Sequence, residues 1–208
     1  MEPAYAGAAP AGAAYAPDVY SGATTHATTP DGQFLAGWWA RVGAYLLDGI
    51  IVTVVGGLLA SPWLGDVYDA YRAFFDQVIR DAEAGRQTSD ATMTAFQESI
   101  VGPMMTIALI YLVVGFVYQV GFLMAVQATP GKLALGLRVR LRERPELPVG
   151  AILLRWASQS GYTILGVVPF VGSLLGLYWL LDHLWPLWDG KKQAIHDKIA
   201  RTNVVRVR

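Results

Sequence analysis

Cysteine is absent from the 208 residues, which excludes disulfide bonds, thiolate metal sites and thiol redox chemistry. Histidine is scarce, with three residues in the chain, so a histidine-rich metal cage is not expected. A charge excess of one sign is lacking too, because 16 basic and 16 acidic residues cancel. The chain therefore has no overall field that attracts nucleic acid. We expect no metal, no other cofactor and no nucleic-acid partner.

Catalytic signatures are also missing. The sequence has no Gly-x-Ser-x-Gly, no His-Glu-x-x-His and no complete phosphate-binding loop. The stretch 129–132, Thr-Pro-Gly-Lys, lacks the preceding Gly and the following Ser or Thr of such a loop, and we interpret it as the turn that ends the second long helix. Asp182-His183 and His196-Asp197 combine acid and base, but adjacent helical residues point in different directions. The sequence thus predicts that the protein is not an enzyme.

Long apolar runs are what the chain does contain. Residues 101–126 include no Asp, Glu, Lys, Arg or His, and a helix of that length can cross a hydrocarbon layer of about 30 Å. A buried helix in a soluble core rarely stays uncharged over such a length. We therefore predict an integral membrane protein.

The predicted spans are about 36–60, 101–126, 151–168 and 172–188. The first is expected to close before Ser61-Pro62-Trp63, and the helix of the second to start near a Thr88-Ser89-Asp90 cap. The last two come from one apolar stretch, which as a single helix would measure roughly 57 Å, nearly twice the bilayer core. Val168-Pro169-Phe170-Val171-Gly172-Ser173 near its midpoint is typical of a hairpin turn. Four spans are therefore predicted, with three as the alternative.

The charges of the connecting segments predict the orientation. Residues 61–100 carry seven acidic and three basic residues, four net negative charges, whereas residues 127–150 and the C-terminal tail have basic excesses. The positive-inside rule then puts the basic segments and both termini in the cytoplasm. Residues 61–100 are predicted to lie outside and to include a short amphipathic helix that either lies on the membrane surface or folds over the spans. The localisation predicted is the cytoplasmic membrane, with several spans.

Two further features complete the predicted fold class, an all-α membrane protein. Residues 1–33 are rich in Ala, Gly, Pro and Thr and predict a disordered tail, which leaves 34–208 as the membrane domain. Leu137 to Leu141 and Asn203 to Val207 alternate apolar and charged residues. They predict a small cytoplasmic strand pair that needs support from the helices beneath it.

Asp48 is the strongest candidate for a functional residue. It lies ten residues beyond Trp38, near the middle of the first predicted span, where a carboxylate costs about 2.5 to 3.5 kcal/mol on insertion scales. It must face the interior, pair, or become protonated. Either it serves transport, or it locks helix packing through a partner, for which the available side chains are Arg155, Gln119 and Gln159. Both readings remain open.

Three pieces of the sequence resemble the RDD family of bacterial membrane proteins, named for one arginine and two aspartates. The pieces are Arg41-Val-Gly-Ala-Tyr-Leu-Leu-Asp48, then Thr129-Pro130-Gly131-Lys132 followed by Leu135-Gly136-Leu137-Arg138-Val139, and His196-Asp197-Lys-Ile-Ala-Arg201-Thr202-Asn-Val-Val205. The resemblance implies that Arg41 and Asp48 are the family's arginine and first aspartate, and that Asp197 is the second, with Asp182 and Asp189 as competitors. It also implies a part in transport, with sodium/proton exchange suggested for some members.

Two functions are consistent with these observations. In the first, the protein is a small oligomeric transporter that moves ions or small solutes through an intramembrane carboxylate at Asp48. In the second, it is a non-transporting scaffold that binds a protein partner through its cytoplasmic face and its tail. A homo-oligomer is compatible with both. The sequence predicts that Arg41 approaches Asp197 at the inner surface and that Asp48 faces the bundle interior.

Overall fold

The computed structural model describes residues 27–167 and 171–207. Within these residues, six α-helices and two strands follow one another in the order α1–α2–α3–β1–α4–α5–α6–β2. Their bounds are α1 Trp38–Glu83, α2 Asp90–Val126, α3 Pro130–Ala134, β1 Leu137–Leu141, α4 Val149–Gln159, α5 Val171–Leu184, α6 Ile195–Ile199 and β2 Thr202–Arg206. The 3₁₀ turns Gly161–Val167 and Trp185–Leu187 follow α4 and α5.

Helices α1 and α2 form a long antiparallel hairpin. Within the described ranges they are the two helices long and apolar enough to cross a membrane, and 17% and 0% of their most apolar windows are buried inside the chain. The core helix of a soluble protein would bury most of that surface. Their apolar side chains instead face outward, as bilayer-crossing helices require. The predicted mostly helical fold is confirmed, with two long apolar helices that are candidates for membrane spans.

The expected end of α1 before Ser61-Pro62 is wrong, because the helix continues through Pro62 to Glu83. Packing against α2 stabilises the continuation: the rings of Phe74 and Phe96 stack 4.5 Å apart. The predicted amphipathic helix in 61–100 is therefore not a separate lid. Its residues extend α1 and α2 beyond their apolar halves.

The turn between the two helices follows the predicted local chemistry. Gly85 takes a positive φ of 66° after the end of α1, the conformation that favours glycine at helix ends. Ser89 caps α2 by accepting a hydrogen bond from the Thr92 amide at 3.2 Å. The start of α2 at Asp90 confirms the capping signal in the sequence.

The four predicted spans are not confirmed. Helices α4 and α5 contain 11 and 14 residues, or about 17 and 21 Å at 1.5 Å per residue, less than the bilayer core of about 30 Å. The predicted hairpin turn at Val168-Pro169-Phe170 lies outside the described residues, as does the tail up to residue 26.

The predicted strand pair is confirmed. β1 and β2 are antiparallel, with Val139 opposite Val204, and β2 begins one residue earlier than expected. The segment before α1 covers the other edge of β2, where the Ala36 amide donates to the Val204 carbonyl at 2.9 Å. This edge contact supplies the support that an isolated pair lacks.

The best-buried apolar residues lie where the strands meet the ends of the long helices. They are Ala36, Ala44, Val120, Leu123, Leu137, Val139, Ile152 and Val204. We call α3, β1, α6 and β2 together the cap. The cap thus joins the start of α1, the end of α2 and the start of α4 in one core, which positions the polar residues described next.

Candidate functional site

Asp197 is the centre of a buried charge cluster in the cap. Its carboxylate is 0% exposed and receives Arg41 Nη1 at 2.6 Å on Oδ2 and Arg155 Nη1 on Oδ1. The Ala194 amide donates to it at 3.1 Å and the Thr202 hydroxyl at 3.2 Å. The predicted approach of Arg41 to Asp197 is confirmed.

The electrostatics of this cluster favour an ionised carboxylate. Burial alone would raise the pKa of Asp197, but the charges of Arg155 and Arg41 outweigh burial and hold that pKa far below its usual range. Two guanidinium groups share this carboxylate, and Arg41 Nη2 and Arg155 Nε are buried with no hydrogen-bond partner among the described residues. The cluster ties α1, α4 and α6 together.

Asp48 lies in a second polar cluster, and its predicted partners are wrong. Arg155 pairs with Asp197, while Gln119 donates to Gln159 at 2.7 Å. Asp48 instead accepts hydrogen bonds from the Tyr118 hydroxyl at 2.7 Å, the Thr129 hydroxyl at 2.5 Å and the Gly131 amide at 2.7 Å. The prediction that it faces the interior holds, since its side chain is 13% exposed.

The segment that holds Asp48 is Thr129-Pro130-Gly131-Lys132, which the sequence indicated only as a turn. Lys132 Nζ lies 3.6 Å from Asp48 Oδ2 and donates to the Thr129 hydroxyl at 3.1 Å. Asp48 therefore lies at the same depth as the segment just beyond α2. This position is nearer the cap than the middle of the span, which was predicted from the distance of ten residues between Trp38 and Asp48. The reason is that α3 packs against α1.

Gly131 makes this close approach possible. A Cβ atom at this position would clash with the Ala44 carbonyl oxygen and would lie 2.7 Å from Asp48 Oδ1. Residue 131 must therefore lack a side chain for its amide to reach the carboxylate. The family resemblance included this segment, but neither Tyr118 nor Thr129 was expected as a contact of Asp48.

Asp182 forms a third cluster with histidine, through residues that are distant in sequence. His196 Nδ1 lies 2.6 Å from Asp182 Oδ2, and the His196 amide donates to Oδ1 at 2.8 Å. Burial, with the nearby Arg155 charge, lowers the pKa of His196, so the ring is neutral at pH 7. Asp189 instead pairs with Lys198 at the cap surface. Of the three aspartates considered, Asp197 contacts Arg41.

Two cavities adjoin these clusters. The smaller, about 160 Å³, is lined by Asp48, Tyr118, Lys132 and Gln119 among others. The larger, about 270 Å³, lies between α1 and α5 and is lined by Arg41, Lys132 and Arg155 together with apolar side chains. Lys132 contributes to both walls. The arrangement can hold a charged group beside Asp48 within the helices.

No group of three or more His, Asp or Glu side chains suited to a metal ion occurs in the described ranges. A multidentate carboxylate or imidazole site for a divalent cation would need such a group.

Comparison with known protein families matches residues 35–201 to the RDD family. The chain belongs to the RDD family. The match includes Arg41, Asp48 and Asp197, so the RDD residues implied by the resemblance all lie inside it. The chain is similar to the uncharacterized protein YxaI of Bacillus subtilis (strain 168). The two are 28% identical over 177 residues, which cover 82% of this chain and 96% of the relative. No solved structure matches the chain.

Proposed function

We propose that this RDD protein carries a monovalent cation in exchange for a proton, and that Asp48 and Lys132 form the exchanging pair. The observation that supports the proposal is the position of the Lys132 ammonium, 3.6 Å from Asp48 Oδ2 in the wall of an internal cavity. An ammonium and a sodium or potassium ion carry the same charge. One can therefore replace the other without leaving the carboxylate unpaired.

The proton in this exchange comes from Lys132. Burial, assisted by the Arg155 charge, lowers the pKa of Lys132 to about 8, against the opposing effect of Asp48. When Lys132 loses one proton, one monovalent cation takes its place beside Asp48. The Thr129 and Tyr118 hydroxyl oxygens, which already contact the carboxylate, offer further oxygen ligands. The net charge of the site is zero in both states, because the bound cation replaces the positive charge that Lys132 loses.

The proposed setting is the bacterial cytoplasmic membrane, with the cap and both termini in the cytoplasm. The four-span arrangement is part of the proposal. The geometry that supports it is the extension of α4 by the 3₁₀ turn Gly161–Val167, which together measure about 30 Å at 1.5 and 2.0 Å per residue. As proposed, the protein is a carrier and not an enzyme, and a homo-oligomer would be compatible with this role.

Calorimetric titration of the purified protein with sodium, potassium or lithium chloride between pH 7 and 9 tests the exchange. The expected result is release of close to one proton per cation bound at pH 7 and of almost none at pH 9, because Lys132 has a pKa of about 8 and must be deprotonated for the cation to bind. The affinity should fall about tenfold per pH unit below about 8. Buffers with different ionisation enthalpies measure the proton count.

Three variants sharpen the titration. Asp48→Asn should not bind the cation, Lys132→Gln should bind it without releasing a proton, and the exposed Asp66→Asn should match the wild type. Cation binding by Asp48→Asn with wild-type affinity, or binding by the wild type that does not depend on pH, would contradict the proposal.

The second candidate function, a scaffold, is favoured by the outer surface of the cap. An open groove of about 740 Å³ there is lined by one acidic residue, Glu143, and by the basic residues Arg142, Arg144, Lys191, Lys198 and Arg201. Such a surface fits an acidic protein segment. A scaffold requires no cation binding at Asp48, so the titration above separates the two functions. In the scaffold, Arg144→Glu with Arg201→Glu would abolish partner binding.

A further inference from the structure

We propose that the groove between α1 and α5 at the cap end binds an anionic phospholipid from the adjacent leaflet. The groove has a volume of about 270 Å³ and an apolar part and a basic part. The groove shares Lys132 with the proposed cation exchange, but lipid binding is a different property and can be measured without transport.

The apolar part of the groove opens toward the surface that faces lipid. Its wall includes Leu46 of α1 and Leu180 of α5, whose side chains are 60% and 46% exposed. In a membrane-crossing hairpin these exposed leucines meet acyl chains. The aromatic side chains Trp38 and Trp179 also line the groove, and tryptophan is enriched at the level of the headgroups.

The basic part of the groove lacks a matching anion. Arg41, Lys132 and Arg155 line it, and no acidic residue does so within the part of the chain that the structure describes. The carboxylate shared by the two arginines, Asp197, lies behind them and is fully buried. Lys132 pairs with Asp48, which does not line the groove either. The wall that a ligand would meet therefore carries three cationic side chains.

Two nitrogen atoms of the arginines that line the groove lack hydrogen-bond acceptors. Arg41 Nη2 and Arg155 Nε are buried and have no partner within residues 27–167 and 171–207. Buried donors without acceptors are costly, and those on charged groups more so. A phosphate monoanion provides several acceptor oxygens, and arginine is well suited to bind it.

The apolar wall beside the cations selects a lipid over a free phosphate ion. A phosphodiester with acyl chains can fill both parts of the groove, whereas inorganic phosphate would leave the apolar part empty. Basic pockets between membrane helices are known binding places for anionic headgroups. The occupant we infer is accordingly an anionic phospholipid such as phosphatidylglycerol.

Thermal unfolding of the detergent-purified full chain tests the inference with three probes. They are a short-chain phosphatidylglycerol, a phosphatidylcholine with the same acyl chains, and inorganic phosphate. The expected result is a rise in Tm with phosphatidylglycerol alone, saturating with one lipid per chain in native mass spectrometry. Equal stabilisation by phosphatidylcholine, or by inorganic phosphate at the same concentration, would overturn the proposal.

Variants with matched controls locate the site. Leu46→Trp fills the groove from an exposed position, and Leu58→Trp, also exposed on α1 but outside the groove, is its control. Lys132→Gln removes one cation of the wall, and Lys191→Gln removes a cation outside the groove. Leu46→Trp should weaken phosphatidylglycerol binding because the larger side chain occupies the space of an acyl chain. Lys132→Gln should weaken it about tenfold, as loss of one charge-assisted hydrogen bond implies. The proposal is wrong if both bind the lipid as tightly as their controls.

Discussion

Replacing Asp197 with asparagine should destabilise the protein more than any other change of a single carboxylate. Asp197→Asn preserves the shape of the side chain but removes the charge that compensates Arg41 and Arg155. The side chains of Asp197 and Arg155 are 0% and 2% exposed, so water cannot replace the lost charge. Breaking a buried ion pair by removing one partner typically costs about 3 to 5 kcal/mol, and we expect a loss of that size.

The assay is reversible unfolding of the protein in mild detergent, followed by tryptophan fluorescence. Asp189→Asn is the matched control, because its partner Lys198 is 37% exposed and the pair lies at the cap surface. A surface pair contributes about 1 kcal/mol or less. Equal, small effects of the two substitutions would refute the idea that the Asp197 cluster holds α1, α4 and α6 together.

The pH dependence provides a second readout of the same cluster. The pKa of Asp197 in the folded protein is far below the usual value of 3.8 for an aspartate, so its ion pairs contribute full stability above about pH 4. As the pH falls below that value, the unfolded chain takes up a proton that the folded chain does not. The stability difference between the wild type and Asp197→Asn should therefore shrink at acidic pH. A constant difference down to pH 3 would contradict this account.

Three further predictions follow from the described geometry. Gly131→Ala should cost more than about 2 kcal/mol of stability, since its Cβ has no space, whereas Gly150→Ala, with open space, should cost little. His196→Gln should flatten the fall in stability below pH 6.5, because the buried ring has a lowered pKa and resists the protonation that the unfolded chain undergoes. An impermeant thiol reagent should label a cysteine at Arg86 in intact cells but not one at Arg144, and the reverse labelling would contradict the proposed orientation.

Local sequence patterns predicted the parts of the fold that depend on local chemistry. The alternation of apolar and charged residues predicted β1 and β2, and the Ser89 signal predicted the start of α2. The prediction that the first helix ends before Pro62 was wrong because contacts between distant residues outweigh this local signal. Contacts with α2 such as Phe74 against Phe96, made across the hairpin, sustain α1 beyond a residue that disfavours helix interiors.

The candidate site was predictable only in part. The depth of Asp48 in an apolar run indicated that it needs partners, but hydropathy does not define which way a helix faces. Its contacts with Thr129 and Gly131 join positions 81 and 83 residues apart. They depend on the packing of α3 against α1, which requires glycine at position 131. The Asp182–His196 contact likewise depends on how α6 returns to α5.

Flux in proteoliposomes tests the central claim most directly. Vesicles that contain the purified protein and carry an imposed pH gradient are exposed to radioactive sodium, and uptake is followed in the wild type and in Asp48→Asn. The exchange at Asp48 and Lys132 predicts uptake that the pH gradient drives in the wild type and that Asp48→Asn abolishes, although the variant remains folded. Uptake by Asp48→Asn at the wild-type rate, or no uptake by the wild type of any monovalent cation, would contradict the claim.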